Sequence, residues 1–160
     1  MSQRIIYAFS VIFAVVIATS MLVFSYYSAM ESVARSEEFI SFSVLDQDKK
    51  AYNYPELLRK NENCTLWIII KNHKHEQVTC KVMVKIVQGS ITSIPVPMEA
   101  YEIRVAELNP GDVWEEPVNL TMKEVGGFFI VFELWIYNKA IKDFDFSGDY
   151  LVLPVNVIAA

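Results

Sequence analysis

The chain has 160 residues, enough for one domain with or without an added membrane segment. Hydrophobic residues make up 53% of it and aromatic residues 13%, a composition that excludes a disordered or collagen-like chain. The formal net charge of −5 argues against a nucleic-acid binder that relies on a basic surface.

The first element is an uncharged, largely apolar segment of 23 residues, Ile5–Tyr27. As an α-helix it would slightly exceed the hydrocarbon core of a bilayer, which is about 30 Å thick. Tyrosines lie near both of its ends, at the depth of the membrane interfaces. We predict a single transmembrane helix here, with residues 1–4 as a short cytoplasmic N-terminus and residues 28–37 as a juxtamembrane linker.

The charges that flank this segment predict its orientation. Arg4 precedes it, whereas Glu31, Glu37 and Glu38 follow it, so the positive-inside rule places the N-terminus in the cytoplasm and residues 38–160 outside. A cleaved signal peptide is the alternative, because Ser32-Val33-Ala34 fits a cleavage site after Ala34. Signal-peptide cores run to only about 7–15 residues, and we therefore expect the helix to be retained.

Beyond the linker, apolar and polar residues alternate, which is typical of β-strands with one buried face. The alternation is clearest in Val78–Val87, where Thr79, Lys81 and Lys85 share the polar face. Comparable segments predict six more strands, at Glu38–Leu45, Thr65–Lys71, Tyr101–Val105, Val118–Met122, Phe128–Tyr137 and Tyr150–Ile158. Leu57-Leu58 is assigned to a single helical turn and Asn138–Gly148 to a loop. We predict an all-β fold, an immunoglobulin-like antiparallel β-sandwich over residues 38–160, preceded by the single N-terminal transmembrane helix.

Several short motifs of this region resemble an archaeal membrane-protein family catalogued as domain of unknown function 1616. The motifs are the opening strand Glu38–Leu45, Asn53-Tyr54-Pro55, the Asn63 sequon, the strand end Asn72-His73 and the segment Leu108–Val118. The resemblance covers the C-terminal half of the family and implies an adhesion-related, Ig-like sandwich in the archaeal cell envelope. Family members usually carry several membrane helices before the sandwich, whereas this chain has one apolar segment. The resemblance implies no reaction.

Two sequons and two cysteines are the candidate modification sites. Asn63 and Asn119 each begin an N-x-[ST] triplet and would be open to glycosylation in an extracytoplasmic domain. Cys64 and Cys80 are the only cysteines. If their two strands formed a hairpin, Cys80 would lie opposite residue 69, about 16 Å from Cys64 along the strand, too far for a disulfide. Placing the strands in different sheets also leaves the cysteines towards opposite ends. We expect two buried, free thiols.

Two segments were considered as metal sites. His73-Lys74-His75-Glu76 places two imidazoles and a carboxylate in one turn, but a zinc site needs three or four protein ligands, so a solvated turn is expected. Asp143, Asp145 and Ser147, followed by Gly148 and Asp149, resemble the start of a calcium loop. Against calcium, Pro154 occupies the position of the bidentate glutamate. No metal or cofactor is expected, and calcium at this segment stays as the alternative.

Catalytic patterns do not emerge from the sequence. Glu115 and Glu116 are adjacent, and adjacent strand residues point to opposite faces, so the two carboxylates are poorly placed to share one substrate. They indicate a charged, exposed strand edge. No nucleophile–base pattern, phosphate loop or nucleotide fingerprint is present. We therefore expect a protein that is not an enzyme.

The predicted function is a membrane-anchored binding or structural module that holds a protein or glycan partner near the membrane. The expected contact surfaces are exposed strand edges, the Pro95–Met98 loop and the Lys139–Gly148 loop. The alternative is a single-pass accessory subunit of a larger membrane complex, such as a surface-filament anchor or a respiratory assembly. Ala14 and Ala18, four residues apart, would let its helix pack closely against others. A homo-oligomer stays open, and no nucleic acid is expected.

Overall fold

The computed structural model describes residue 13, residues 15–26 and residues 38–160. Residue 13 and residues 15–26 are helical, and residues 38–160 belong to a separate compact unit. Within the described residues, no helix combines the length and hydropathy that a membrane crossing requires. The rest of the predicted span Ile5–Tyr27, the N-terminus 1–4 and the linker 28–37 lie outside the described residues.

The second unit consists of eight strands. Their bounds are β1 Ile40–Leu45, β2 Leu57–Arg59, β3 Asn63–Asn72, β4 Val78–Gln88, β5 Glu102–Leu108, β6 Val113–Thr121, β7 Gly126–Asn138 and β8 Asp143–Ile158. They form a three-stranded sheet in the order β1-β3-β6 and a five-stranded sheet in the order β2-β8-β7-β4-β5. All pairings are antiparallel except β2 with β8, which is parallel. The prediction of an all-β sandwich is confirmed.

The core lies between the inward faces of the two sheets, as the alternation predicts. Every second residue of β3 is buried. These buried side chains belong to one apolar cluster with the inward-facing side chains of β4 and β7. The largest side chains shielded completely from solvent include Leu66, Ile68, Ile70, Ile130 and Phe132. Burial of apolar surface at about 25 cal/mol per Å² makes this layer the main source of stability.

Strands β3 and β4 do not form the hairpin considered above, because the connection of residues 73–77 carries the chain from one sheet to the other. β3 pairs with β1 and β6, whereas β4 pairs with β5 and β7. Cys64 therefore lies opposite Leu120, and Cys80 lies between Ala106 and Ile136. Both cysteines are buried, free thiols.

Two local predictions were wrong. Leu57-Leu58 is the start of strand β2 rather than a helical turn, because Leu58 enters the core and its backbone pairs with Val157 of β8. The predicted loop Asn138–Gly148 is a turn of residues 139–142 followed directly by β8. The alternation of Asp143, Phe144, Asp145 and Phe146 continues the pairing with β7, apart from a bulge between Glu133 and Trp135.

Residues 89–101, called the strap below, connect β4 to β5 and cover part of the outer face of the five-stranded sheet. Val96 of the strap packs with Val87 and Val131 in a second, smaller apolar cluster. Lys85, predicted on a polar face, is buried here and forms an ion pair with buried Glu133. The Pro95–Met98 loop is therefore only in part the predicted contact surface, since Val96 points inward and Met98 is exposed.

Candidate binding cleft

A cleft of about 540 Å³ lies at one end of the sandwich, between the turn of residues 73–77 and the β7–β8 hairpin. The turn contributes Lys74, Glu76 and Gln77, and the hairpin contributes Asn138, Lys139 and Asp145. The His73–Glu76 turn and the Lys139–Gly148 region are far apart in the sequence but face each other across this one cavity. Its size lies within the range of small-molecule and peptide sites.

Asn72, the last residue of β3, shapes the first wall of the cleft. It takes the next inward position after Ile70 and is completely buried. Its Nδ2 donates to the carbonyls of Glu76, at 2.8 Å, and Leu108, at 3.0 Å, while its Oδ1 accepts from the N–H of Lys74 at 2.9 Å. A buried amide with all three bonds made is stabilising, and it holds Lys74 and Glu76 at the cleft.

The backbone of Asn72 extends this network to the β5–β6 turn. Its N–H donates to the carbonyl of Asp112, and its carbonyl accepts from the N–H of Gly111. Gly111 has φ of +84°, a conformation that glycine adopts readily. Asn72 and the Leu108–Asp112 turn are thus in direct contact, although 36 residues separate Asn72 from Leu108. The motifs that carried the family resemblance have a structural role.

The second wall is the β7–β8 hairpin, which the bulge at Glu133 and Trp135 bends. Ser147 fills this bulge: its Oγ donates to the carbonyl of Leu134 at 2.8 Å and accepts from the N–H of Asp149 at 3.1 Å. In the turn, the side chain of Asn138 accepts from the N–H of Ala140 at 2.9 Å. These local bonds position the hairpin opposite residues 74–77.

Four charged groups surround the cleft. Lys139 forms an ion pair of 3.8 Å with Glu76 across the opening. Both side chains are well exposed, so the pair adds little stability and can open to a ligand. Lys74 and Asp145 make no ion pair within the described part of the chain. The cleft thus presents an ammonium and a carboxylate that form no ion pair with any described residue.

The structure does not bring the calcium candidates together as a loop. Asp143, Asp145, Ser147 and Asp149 all lie on the extended strand β8, and the Ser147 hydroxyl is engaged in the bulge. An extended chain spaces alternate residues by almost 7 Å instead of folding them around one ion. These four residues therefore do not form the loop that the calcium alternative assumed.

The histidines of the turn also point to different neighbours. His73 stacks on Phe39 with ring centroids 4.3 Å apart, and His75 is exposed. Across the residues that the structure describes, no three His, Cys, Asp or Glu side chains form a group that could hold a metal ion.

Burial sets the chemistry of the two thiols. Loss of solvent raises the pKa of Cys64 to about 11, and the nearby Glu62 carboxylate acts in the same direction. Burial likewise raises the pKa of Cys80 to about 11, against a smaller opposing effect of Lys74. Neither thiol resembles a reactive cysteine, whose pKa is lowered.

The two sequons pair with each other on the outer face of the three-stranded sheet. Asn63 lies opposite Thr121, and Asn119 lies opposite Thr65. The Thr121 hydroxyl donates to Oδ1 of Asn63 at 2.6 Å, and the Thr65 hydroxyl donates to Oδ1 of Asn119 at 2.8 Å. Both asparagines are exposed.

The strand edges are less open than expected. Edge strand β6 carries Pro117 and Glu116, and Glu116 approaches Arg104 of edge strand β5 at 3.3 Å. Arg104 also pairs with Glu102, so charged groups lie along the gap between the two sheets. At the opposite edge, the Tyr54 hydroxyl donates to the carbonyl of Val44 in β1. Glu115, the other half of the predicted carboxylate pair, contacts Lys49 instead of sharing a site with Glu116.

Comparison with known proteins agrees with this architecture. The sequence model of the family described as Domain of unknown function (DUF1616) matches residues 33–143, which is more than half of the chain. The chain belongs to this family. No curated protein matches the DUF1616 chain described here.

Solved structures support the fold of this DUF1616 member. The crystal structure of a CARDB domain from Pyrococcus furiosus, determined in complex with di-metal ions, has a TM-score of 0.51 at 15% identity and covers 76% of this chain and 89% of its own. The solution structure of the same domain has a TM-score of 0.50 at 16% identity, covering 76% and 97%. These domains are Ig-like, and the likeness supports an Ig-like fold for this chain.

The sequence predicted one wall of the DUF1616 cleft as a contact loop and the other only as a solvated turn, and it did not reveal the residue that positions the turn. Asn72 stands where the alternation of β3 calls for an apolar side chain, after Leu66, Ile68 and Ile70. A polar residue at a buried position signals a satisfied hydrogen-bond network. Glu133 of β7 is a second example, because it is a charged residue inside a nearly continuous apolar segment.

Proposed function

We propose that the protein is a membrane-tethered module of the cell envelope, whose Ig-like domain holds a protein or glycan partner in the cleft between residues 73–77 and the β7–β8 hairpin. The observation that carries the proposal is the cleft itself, of about 540 Å³, with uncommitted charged groups on a rigid frame. Binding sites formed by loops at the end of a fixed sandwich are common in this architecture.

The chemistry of the cleft suits a polar partner. Lys74 and Asp145 offer one charge of each sign, and Gln77 and Thr79 add hydrogen-bonding groups. Tyr137 and Phe146 contribute apolar surface beside them. Few precisely placed polar groups next to aromatic surface favour recognition of a defined ligand over general adhesion.

The tether in this proposal is the uncharged segment Ile5–Tyr27. Its length of 23 residues and its flanking charges support a single crossing with residues 38–160 outside. Protease added to intact cells should then remove the Ig-like domain, while cells that are first permeabilised should lose the short N-terminus as well. Protection of the domain in intact cells would overturn the extracytoplasmic placement.

The cleft is tested by site-specific crosslinking of the full chain in intact cells. A photoreactive maleimide probe is attached at Lys139→Cys, inside the cleft, or at Lys60→Cys, an exposed control at the far end of the sandwich. The natural cysteines are buried and will not compete for the probe. We expect a discrete adduct from position 139 and none from position 60, and Asp145→Lys should abolish it.

Equal adducts from both positions, or an adduct that Asp145→Lys leaves unchanged, would show that the partner does not bind in the cleft.

Mild-detergent purification distinguishes a binding module from an accessory subunit of a larger membrane complex. A stoichiometric membrane complex that persists after loss of the cleft adduct would favour the accessory-subunit function, in which the helix makes the contacts.

A further inference from the structure

The outer face of the five-stranded sheet is covered at one end and open at the other. Under the strap, Val87 and Val131 are 9% and 0% exposed. Farther along the same face, Ile103 and Val105 of β5 are 50% and 55% exposed, and Ile103 lies beside Met83 of β4. The open half of the outer face, called the open face below, exposes large apolar side chains that no described residue covers.

The open face has two chemically different sides. On the β5 side it is aliphatic, with Ile103 paired to Met83 and Val105 paired to Lys81 in the register of β4. On the β8 side it is aromatic, with Trp135 against Phe146 at 5.5 Å between ring centroids. The sheet order β8-β7-β4-β5 sets these two sides apart across β7 and β4.

Each side carries one charge of opposite sign. The Lys81 ammonium is displaced from its own strand towards β8, where it lies 4.2 Å from the centre of the Phe144 ring and 5.3 Å from that of Trp135. Glu107 is exposed on β5, opposite Thr79. Within the described residues neither side chain forms an ion pair.

This arrangement is complementary to itself. A two-fold axis that runs along the strands between β4 and β7 places the β5 side of one copy on the β8 side of another. Aliphatic side chains then meet aromatic rings, and the Lys81 ammonium of each copy approaches the Glu107 carboxylate of the other. An isologous contact needs this kind of self-complementary patch.

We propose that the open face docks onto the same face of a second copy of this chain, so that Lys81 and Glu107 form two reciprocal intermolecular ion pairs. The covered strand edges and the exposed apolar side chains both favour pairing through the face. The charge pair is separate from the cleft, since Glu107 and Lys81 do not line it, although Phe146 belongs to both surfaces.

The contact is tested by reversing the charges of Lys81 and Glu107 in the full chain, purified in detergent. The mass of the particle is measured by light scattering after gel filtration. Lys81→Glu and Glu107→Lys should each raise the dimer dissociation constant by about tenfold or more, because like charges then face each other. An equimolar mixture of the two variants should form a heterodimer, since each mixed pair is Glu with Lys. The double variant K81E/E107K should dimerise alone.

Val105→Asp should weaken the dimer without depending on the charge pair, and Ile141→Asp, equally exposed but in the β7–β8 turn, should not. Far-ultraviolet circular dichroism checks that each variant is folded. A monomeric wild type, a mixture that stays monomeric, or equal dimerisation of every variant would overturn the proposal. If the wild type is monomeric and binds a different, acidic protein in cells, and if Lys81→Glu abolishes that binding, the open face is the binding surface for that protein.

These outcomes are separable from the cleft experiment. Glu107→Lys should leave the crosslinked adduct at position 139 unchanged, and Asp145→Lys should leave the dimer unchanged. A single variant that removed both would show that dimerisation through the open face and partner binding in the cleft are one function.

Discussion

The ammonium of Lys85 lies 2.8 Å from the carboxylate of Glu133, and both side chains are buried beneath the strap. Lys85 also donates to the carbonyl of Val96 at 2.7 Å, and the N–H of Val96 donates to the other carboxylate oxygen at 2.6 Å. One ion pair thus satisfies both backbone groups of a strap residue. It fastens the strap to β4 and β7.

Removing one charge of this pair should be costly. Glu133→Gln leaves the buried Lys85 ammonium without its counter-charge, and we expect the free energy of unfolding to fall by about 3–5 kcal/mol. The measurement is urea denaturation of the full chain in detergent, followed by tryptophan fluorescence. The matched control is Lys49→Met, which breaks the exposed pair with Glu115 and should cost at most about 1 kcal/mol. Equal losses in both variants would show that the buried pair contributes no more than a surface pair.

The Asn72 network gives a second test. Asn72→Leu keeps the number and branching of the side-chain heavy atoms but removes three hydrogen bonds to the backbone of Lys74, Glu76 and Leu108. We expect destabilisation of about 1–3 kcal/mol for each buried backbone group left without a partner. Hydrogen exchange should quicken at residues 73–77, and the cleft adduct at position 139 should weaken. Asn53→Leu, at an exposed site, is the control, and unchanged exchange at the turn would refute the positioning role.

The thiols predict a pH dependence of stability. Burial raises the pKa of both Cys64 and Cys80 to about 11, from 9.0 for an exposed thiol. Between these values the unfolded chain loses its thiol protons while the folded chain keeps them, so the unfolded state is favoured as pH rises. The stabilisation is complete below about pH 9 and is lost as pH rises through 11.

The check is to measure the free energy of unfolding between pH 8 and pH 11, in steps of about half a pH unit. The wild type is compared with Cys64→Ala and Cys80→Ala. Each variant should show a shallower decline of stability with pH than the wild type, since it lacks one of the two buried thiols. A decline of the same slope in all of them would mean that the thiols do not contribute.

Glycosylation of the paired sequons is a fourth prediction and follows from the proposed extracytoplasmic placement. Asn63 and Asn119 are exposed on one sheet face, and their Nδ2 atoms are not used in the bonds with Thr121 and Thr65. Intact-protein mass spectrometry of the chain from its own cells should show added glycan mass. Thr65→Val should remove the part borne by Asn63, whereas Thr65→Ser, which preserves the sequon, should not. An unmodified mass in the wild type would contradict the prediction.

The predicted and observed strands agree where local alternation is long. Val78–Val87 differs from β4 by a single residue, because ten alternating positions leave little choice of face. β2 could not be found this way, since three residues show no period and only the pairing of Leu58 with Val157 makes them a strand. The cleft was foreseeable as two polar segments, but their meeting depends on sheet partners that are distant in sequence.

The amino-acid sequence by itself determined which side chains point inward, since adjacent residues of an extended chain face opposite sides whatever the strand pairs with. It determined as well that the domain is a β-sandwich with an uncharged segment before it. Only the tertiary structure decided that β3 and β4 lie in different sheets, that Lys85 and Glu133 neutralise each other under the strap, and that Asn72 joins two turns. The reason is that these contacts depend on the relative free energies of distant pairings, which no local pattern records.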